Sequence, residues 1–317
     1  MSRPLAAVVP SLGLSPVGDA ALDALRGELA AARGGLVWVH QGRAAPPPGL
    51  DRPGERLIEL DAPAGFARAA NAGIAAAAGA ERIALVNDDC LVEAGWLERL
   101  ARALDAHPGA ASAQGVNLQL ERPGLADGWG LGFNRWLEAV QVGHGEPALP
   151  PGGSSLEVFG VSATAALYRR DALSAVARAD GQVFDERLGS YYEDADLALR
   201  LRAAGFEALA VPGARARHSG SATGGRHPVA RWAAIRGNRW AVAAAWLGGR
   251  LPLALPRLAG RDLIDLARAL ARGRGAEAAG VLAGWGRAAR LLPHFVRSGP
   301  PRPPLAAATR LRVISRG

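Results

Sequence analysis

The sequence contains very little cysteine. Cys90 is the only one among 317 residues, so no disulfide can form within the chain, and the composition fits a reducing cytosol. Because Cys90 follows Asp89, its thiol is a candidate metal ligand. The apolar neighbours Leu91 and Val92 favour a small core residue instead.

Long apolar runs are also missing. No stretch approaches the roughly 18 apolar residues of a membrane span, and the longest candidate, residues 240–247, is interrupted by Gly248, Gly249 and Arg250. The first ten residues contain Arg3 and a short apolar run, which does not resemble a signal peptide. We therefore expect a cytoplasmic protein.

Two further shortages restrict the function. No Gly-x-Gly-x-x-Gly pattern follows residues 5–9, which disfavours a nicotinamide-dependent dehydrogenase. Aromatic residues make up only 5% of the chain and are not interleaved with basic residues on a recognisable nucleic-acid-binding module. A pI of about 11 nevertheless keeps a basic nucleic-acid-binding protein as an alternative.

The pattern of apolar segments predicts an α/β fold with a mostly parallel central sheet flanked by helices. The length accommodates one large domain and a helical appendage. Predicted strands cover residues 5–9, 36–39, 57–60, 82–86, 163–168 and 207–211. Predicted helices cover residues 20–32, 66–78, 93–106, 171–178 and 194–204. Residues 124–153 are rich in glycine and show no clean periodicity, and we expect them on the acceptor side of a site.

Two acidic clusters stand out. Asn87, Asp88 and Asp89 directly follow the apolar run 83–86, and open α/β sheets bind ligands at the carboxyl ends of such strands. Mg²⁺ or Mn²⁺ is typically held there by one or two carboxylates and the substrate's phosphates. The second cluster, residues 193–196, begins a predicted helix. The alternative to a ligand site is local hydrogen bonding in a loop for residues 87–89. For residues 193–196 the alternative is capping of the helix N-terminus.

Several short segments, in this order, resemble glycosyltransferase family 2. They are residues 66–73, 85–89, 166–173, 184–186, 192–197, 200–201, 204–206, 211–212 and His218. The resemblance covers about residues 5–239 and includes an Arg-Asn-Arg segment, residues 236–239, similar to that of the family's rhamnosyltransferase-like members. It implies a single GT-A-type nucleotide-diphospho-sugar transferase domain over residues 1–240 and a basic helical tail over residues 241–317.

The resemblance also implies roles for individual residues. Asp89 would bind the metal that bridges the donor diphosphate, and His218 would contact that metal or the diphosphate. Asp194 would be the general base of an inverting transfer, with Glu193 beside it. Contacts with the nucleotide sugar are expected from Pro10, Gln41, Arg68, Asn71, Asn87 and Asp88. Taken alone, His218 would be interpreted as a surface residue.

The second strand departs from the family pattern. In the family, the second strand usually ends in an acidic residue that hydrogen-bonds the nucleobase. In this chain the corresponding strand leads into His40, Gln41 and Gly42. Gln41 carries both a donor and an acceptor and can pair with an imide edge. The donor nucleotide therefore stays open between dTDP, UDP and GDP.

The tail carries the excess positive charge. Residues 241–317 hold thirteen arginines and three acidic residues, about +10, while the whole chain is +8. Leu263, Leu266 and Leu270 recur at helical spacing among arginines that include Arg261 and Arg268. Such basic amphipathic helices bind membrane surfaces. The alternative is that they only pack on the catalytic domain.

Together these observations predict an inverting glycosyltransferase that depends on Mg²⁺ or Mn²⁺. It would transfer a sugar, with rhamnose favoured, from a nucleotide diphosphate sugar to a glycan or a lipid-linked acceptor in polysaccharide biosynthesis of the cell envelope. We expect peripheral contact with the inner face of the cell membrane and no nucleic-acid partner. The rival hypotheses are a catalytically inactive scaffold of the same family and the basic nucleic-acid-binding protein.

Overall fold

The computed structural model describes residues 4–13, 15–42, 45–220 and 227–297. The strands are β1 (Leu5–Ser11), β2 (Gly35–His40), β3 (Glu55–Glu59), β4 (Arg82–Val86), β5 (Cys90–Val92), β6 (Ala110–Gln119), β7 (Arg122–Gly128), β8 (Leu131–Phe133), β9 (Ala139–Gln141), β10 (Leu156–Val158), β11 (Ala165–Arg169) and β12 (Glu207–His218). The helices are α1 (Gly18–Ala32), α2 (Phe66–Ala76), α3 (Trp96–Ala106), α4 (Arg170–Ala175), α5 (Glu193–Ala203), α6 (Pro228–Leu247), α7 (Leu251–Ala271) and α8 (Gly275–Arg297).

The central sheet has the strand order β10-β12-β6-β11-β4-β1-β2-β3. Strands β3, β2, β1 and β4 are parallel, but β11 runs antiparallel to both β4 and β6. The sheet is therefore mixed, whereas the sequence predicted a mostly parallel one. Between β6 and β11, a stretch that the structure describes in full, the chain forms only the short strands β7 to β10 and no helix. A parallel neighbour of β6 would need a long crossover, which is usually helical, and β11 runs antiparallel to β6 instead.

The strands at the centre are buried on both faces. Every residue of β1 and β4 is buried, as expected for strands covered by helices on each side of the sheet. Strand β1 continues through Pro10 to Ser11, beyond the end predicted at residue 9. Pairing persists because Ser11 still accepts a hydrogen bond from the Gln41 amide, at 2.9 Å.

The glycine-rich segment contains short strands that the sequence did not predict. Strand β7 pairs with β6, and β8 pairs with β9 as a small separate sheet. These strands hold three or seven residues, too few for a clear alternation of polar and apolar residues. The segment is tied back to the domain by a bridge between Leu131 and Gly160.

Helices α6, α7 and α8 form a layer on one side of the domain. Helix α6 runs across the predicted boundary between residues 240 and 241. It packs closely against α8, because a Cβ atom on Gly237, Gly280 or Gly284 would lie 2.3–2.8 Å from a side-chain atom of the other helix. Over the described ranges, no helix is both long and apolar enough to cross a bilayer.

Candidate functional site

The carboxyl ends of two neighbouring strands bring Ser11 and Asp88 together. Ser11 ends β1 and Asp88 follows β4, and the Ser11 hydroxyl donates a 2.6 Å hydrogen bond to Asp88. Burial and the nearby charge of Asp89 outweigh this bond and raise the pKa of Asp88 to about 6. This part of the predicted acidic motif is therefore built into the sheet edge.

Strand pairing places His218 beside Asp89. His218 ends β12 and lies opposite Cys90 of β5, while the Ser219 amide donates to the Asp89 carbonyl at 3.1 Å. As a result, the Nε2 atom of His218 is 3.3 Å from Oδ1 of Asp89. The Ser219 hydroxyl donates to the other carboxylate oxygen at 3.1 Å. Two residues that are far apart in the sequence thus form one polar group.

Asp127 completes this group from the other side. It lies on β7, and its Oδ2 atom is 2.8 Å from Nδ1 of His218. Burial opposes the charged imidazolium, but the hydrogen bonds to Asp127 and Asp89 raise the pKa of His218 to about 10. Although burial works against it, His218 also lowers the pKa of Asp89. Asp127 has no local signal in the sequence, because it lies in the segment without periodicity.

The donor set at Asp89 and His218 suits a divalent cation. Oδ1 of Asp89 is buried, and Nε2 of His218 lies 3.3 Å from it, so a cation that replaced the imidazole proton would meet an oxygen and a nitrogen ligand side by side. Within the described ranges, no three or more His, Cys, Asp or Glu side chains form a complete cage. Magnesium and manganese sites that use substrate phosphates need only one or two protein carboxylates. A cation at Nε2 of His218 would take the place of its proton, because metal ligands bind deprotonated.

The second acidic cluster begins helix α5. Oδ1 of Asp194 accepts a 2.8 Å hydrogen bond from the Ala195 amide, and further bonds from Ala163 and Ser162 reach the same carboxylate. Thr164, next along the chain, accepts a 2.8 Å hydrogen bond at its carbonyl from the Asn87 amide. Residues 162–164 therefore link the carboxylate of Asp194 to the acidic motif after β4.

Glu193 and Asp194 share a poorly solvated environment. Glu193 is buried, and its Oε2 atom has no hydrogen-bond partner. Burial and the charge of Asp194 raise the pKa of Glu193 well above its ordinary value. Burial also raises the pKa of Asp194, although four hydrogen bonds oppose that increase. The two carboxyl groups therefore titrate as an interacting pair in which a second negative charge is disfavoured.

The residues predicted to contact the nucleotide are distributed along the same sheet edge. Pro10 is buried in β1, and Arg68 lies exposed on α2. The side-chain carbonyl of Gln41 accepts a 3.0 Å bond from the Ala64 amide. Asn71 is held at both ends of its amide, since it exchanges two 2.9 Å hydrogen bonds with the Phe184 backbone. These contacts give Gln41 and Asn71 structural uses, and their nucleotide contacts stay predictions.

Residues 52–243 match the family described as "Glycosyltransferase like family 2". No curated protein matches the chain in sequence.

Two solved structures are similar to the chain. One is GalNAc-T7 with UDP, GalNAc and Mn²⁺, with a TM-score of 0.56 and 12% identity, covering 77% of this chain and 48% of that one. This chain thus spans about half the length of GalNAc-T7. The other is the mannosyltransferase PcManGT from Pyrobaculum calidifontis with GDP-Man and Mn²⁺, with a TM-score of 0.53 and 16% identity, covering 91% and 88%. At these identities the likeness shows the fold, which is the predicted GT-A type.

Proposed function

The chain belongs to glycosyltransferase like family 2 and is an enzyme of the glycosyltransferase class, and from this premise we propose the reaction it performs. It is an inverting, metal-dependent transferase that moves a sugar from a nucleotide diphosphate sugar to a hydroxyl of a glycan or a lipid-linked acceptor. The single observation that carries this proposal is that residues 162–164 connect two acidic groups. Thr164 accepts a hydrogen bond from the Asn87 amide, and Ser162 and Ala163 donate to Asp194. One group, Asp89 with His218, suits a cation, and the other contains Asp194.

Asp89 and His218 would hold Mg²⁺ or Mn²⁺, with Asp88 beside them. When bound, the cation would neutralise charge on the donor diphosphate and make it a better leaving group. The proposal is supported by the distance of 3.3 Å between Oδ1 of Asp89 and Nε2 of His218, which places an oxygen and a nitrogen ligand together. It is also supported by Mn²⁺ in the structures of GalNAc-T7 and PcManGT.

Asp194 is suited to act as the base. Inversion requires a carboxylate that accepts the proton of the acceptor hydroxyl while its oxygen attacks the anomeric carbon from the face opposite the diphosphate. Asp194 is at the N-terminus of α5, where the helix dipole favours an anion, and its raised pKa makes the carboxylate a stronger base. Burial and the charge of Asp194 raise the pKa of the neighbouring Glu193, which disfavours a second negative charge beside the first.

The outer face of α7 supports contact with a membrane. The helix buries its acidic residues Asp262 and Asp265 and exposes Leu253, Leu263 and Leu270, which are 81%, 54% and 64% exposed. The apolar face thus points away from the protein, while exposed arginines at 257, 268 and 272 complement anionic lipid headgroups. Residues 298–317 of the predicted tail lie outside the described residues.

One arginine expected on the basic face has a different position. The sequence placed Arg261 among the arginines of the amphipathic tail, but its guanidinium points inward. It lies 2.9 Å from Glu138 and 3.3 Å from Asp265. Buried carboxylates attract this arginine, so it is not available to lipid.

The donor sugar is proposed from the sequence alone. The segment 236–239 resembles that of rhamnosyltransferase-like members, which favours rhamnose as the donor sugar and leaves the nucleotide open between dTDP, UDP and GDP. In the structure, Arg236 and Arg239 are buried and paired with Glu138 and Asp262. The proposal for rhamnose therefore rests on resemblance and not on a direct contact with the donor.

A thermal-shift screen tests the proposed function. The full chain is heated with dTDP-rhamnose, UDP-glucose or GDP-mannose, each with and without Mn²⁺. A donor that binds the folded state raises the melting temperature, and we expect that increase to require Mn²⁺. Slow release of nucleoside diphosphate from the same donor would separate an enzyme from an inactive scaffold. The proposal fails if no donor of the three nucleotide classes raises the melting temperature.

A further inference from the structure

The turn that leads into the carboxylate pair has an unfavourable backbone. Tyr191 and Tyr192, directly before Glu193, both have φ of +71°. Left-handed conformations are unfavourable for residues other than glycine, and they persist only where surrounding structure holds them. Two in succession therefore need an external support.

Asn238 of α6 supplies most of that support. Its side chain is fully buried, and its amide nitrogen donates to three carbonyls of the turn: Leu188 at 2.8 Å, Ser190 at 3.1 Å and Tyr191 at 2.7 Å. These carbonyls converge because the chain reverses direction before Glu193. A single side chain thus satisfies the backbone of the strained turn.

Arg287 of α8 supports the same turn and orients Asn238. Its Nε atom donates to Oδ1 of Asn238 at 2.8 Å, which fixes the orientation of the amide. Its terminal nitrogen donates to the carbonyls of Arg187 and Leu188, at 2.9 and 2.8 Å. Gly237 allows the arginine stem to pass, since a Cβ there would lie 2.8 Å from that stem.

The other side of the turn is attached to the nucleotide side of the domain. The Gly189 carbonyl and the Ser190 hydroxyl accept hydrogen bonds from the first amides of α2, those of Ala67 and Phe66, at 2.8 and 3.1 Å. The turn therefore lies between α2 on one side and α6 with α8 on the other. Any shift of α8 would move the start of α5.

We propose that Asn238 and Arg287 are positioning residues for the transfer reaction. They hold residues 188–192 in the geometry that aims Asp194 at the acceptor hydroxyl, so the C-terminal helices are a working part of the catalytic site. This inference rests on the proposed function for its effect on catalysis. The hydrogen bonds that carry it are independent of any substrate.

Two variants of the full chain test it. Arg287→Met keeps the apolar stem over Gly237 and removes the three hydrogen bonds of the guanidinium. Asn238→Asp keeps the shape but replaces the donor with an acceptor facing three carbonyls. Arg290→Met is the matched control, because Arg290 is exposed on the same helix. Should Asn238→Asp not fold, Arg287→Met, at a half-buried position, decides the outcome.

The first measurement is hydrogen exchange without ligand. We expect faster exchange in the peptide covering residues 188–196 of both variants, and unchanged exchange in β1 and β4. The control should match the wild type. Exchange of residues 188–196 at the wild-type rate in Arg287→Met would overturn the inference, whatever the enzyme's activity.

The second measurement is release of nucleoside diphosphate from whichever of the three screened donors the wild type hydrolyses with Mn²⁺. A small misplacement of a catalytic group costs on the order of 10²-fold, so kcat should fall by about that factor while KM for the donor stays within roughly threefold. Equal kcat in Arg287→Met and Arg290→Met would also overturn the inference. If the wild type hydrolyses no donor, the proposed function fails and the exchange measurement still decides whether the turn is held as described.

Discussion

Arg239 of α6 and Asp262 of α7 form an ion pair in which both side chains are completely buried, with 2.9 Å between nitrogen and oxygen. The second oxygen of Asp262 accepts hydrogen bonds from the indoles of Trp240 and Trp285, at 2.7 and 2.9 Å. One carboxylate thus joins α6, α7 and α8. Asp262, an acidic residue in a basic tail, is therefore the structural centre that holds the three helices together.

The first prediction concerns this centre. Asp262→Ala leaves the buried guanidinium of Arg239 without its main partner, and breaking a buried pair costs about 3–5 kcal/mol. We expect a large fall in melting temperature, measured by circular dichroism. Glu277→Ala, which removes another acid of the same tail, should change it little. Equal effects of the two substitutions would contradict a special role for Asp262.

The second prediction separates the two adjacent carboxyl groups. Asp194→Asn keeps the shape of the base and removes its proton acceptor, so turnover should fall by roughly 10²–10⁴-fold with donor affinity nearly unchanged. Glu193→Gln should be milder, because the amide keeps the shape of Glu193 and leaves Asp194 as the proton acceptor. Steady-state kinetics and donor binding by calorimetry would measure both. If Glu193→Gln loses turnover and Asp194→Asn keeps it, the base is Glu193.

The third prediction concerns the cation. Asp89→Ala should abolish the increase in donor affinity caused by Mn²⁺. Because it also removes a buried partner of His218, the melting temperature without ligand should fall as well. Asp23→Ala, at an exposed position on α1, serves as the control. Calorimetric titration with Mn²⁺ and donor measures the effect. Wild-type Mn²⁺ dependence in Asp89→Ala would exclude this residue as a ligand.

The fourth prediction concerns the outer face of α7. Replacing Leu263 and Leu270 with serine removes exposed apolar area and should reduce sedimentation with vesicles that contain phosphatidylglycerol. Leu156→Ser, at a leucine that is 44% exposed on β10, should bind like the wild type. Undiminished sedimentation of the α7 double variant would favour helices that only pack on the domain.

The fifth prediction is a pH dependence. Asp185 is completely buried, and although burial opposes it, the Arg187 amide, Arg178 and His294 lower the pKa of this carboxyl group. A lowered folded-state pKa stabilises the protein above the ordinary value of about 3.9, and that stability is lost as the pH falls through the folded-state pKa. Asp185→Asn should therefore melt below the wild type at pH 7. The difference should shrink once the pH falls below about 4, whereas Asp180→Asn, an exposed control, should show no difference.

The sequence was informative where a local pattern determines the structure. Apolar runs identified β1, β4 and most helices, since burial on both faces leaves a recognisable composition. The acidic residues after β4 and at the start of α5 were predicted because their positions within their own elements already suit a ligand site. The resemblance then supplied the family, which the match over residues 52–243 confirms.

Other features depend on contacts between distant parts of the chain. Asp127 reaches His218 only through the pairing of β7 with β6. Arg261 was expected at the surface because helical spacing does not reveal that α7 buries its acidic face. Likewise, the contacts of Asn238 with residues about fifty positions earlier arise from the packing of α6. None of these positions has a signal within its own segment.

The position of Arg287 in the last described helix also bears on how the enzyme matures during synthesis. Residues 275–297 are synthesised after every strand of the sheet. Until they have been made, the turn before Glu193 lacks Arg287, one of its two supports. On the proposed roles of Asn238 and Arg287, full transfer activity would arise only after α8 has docked.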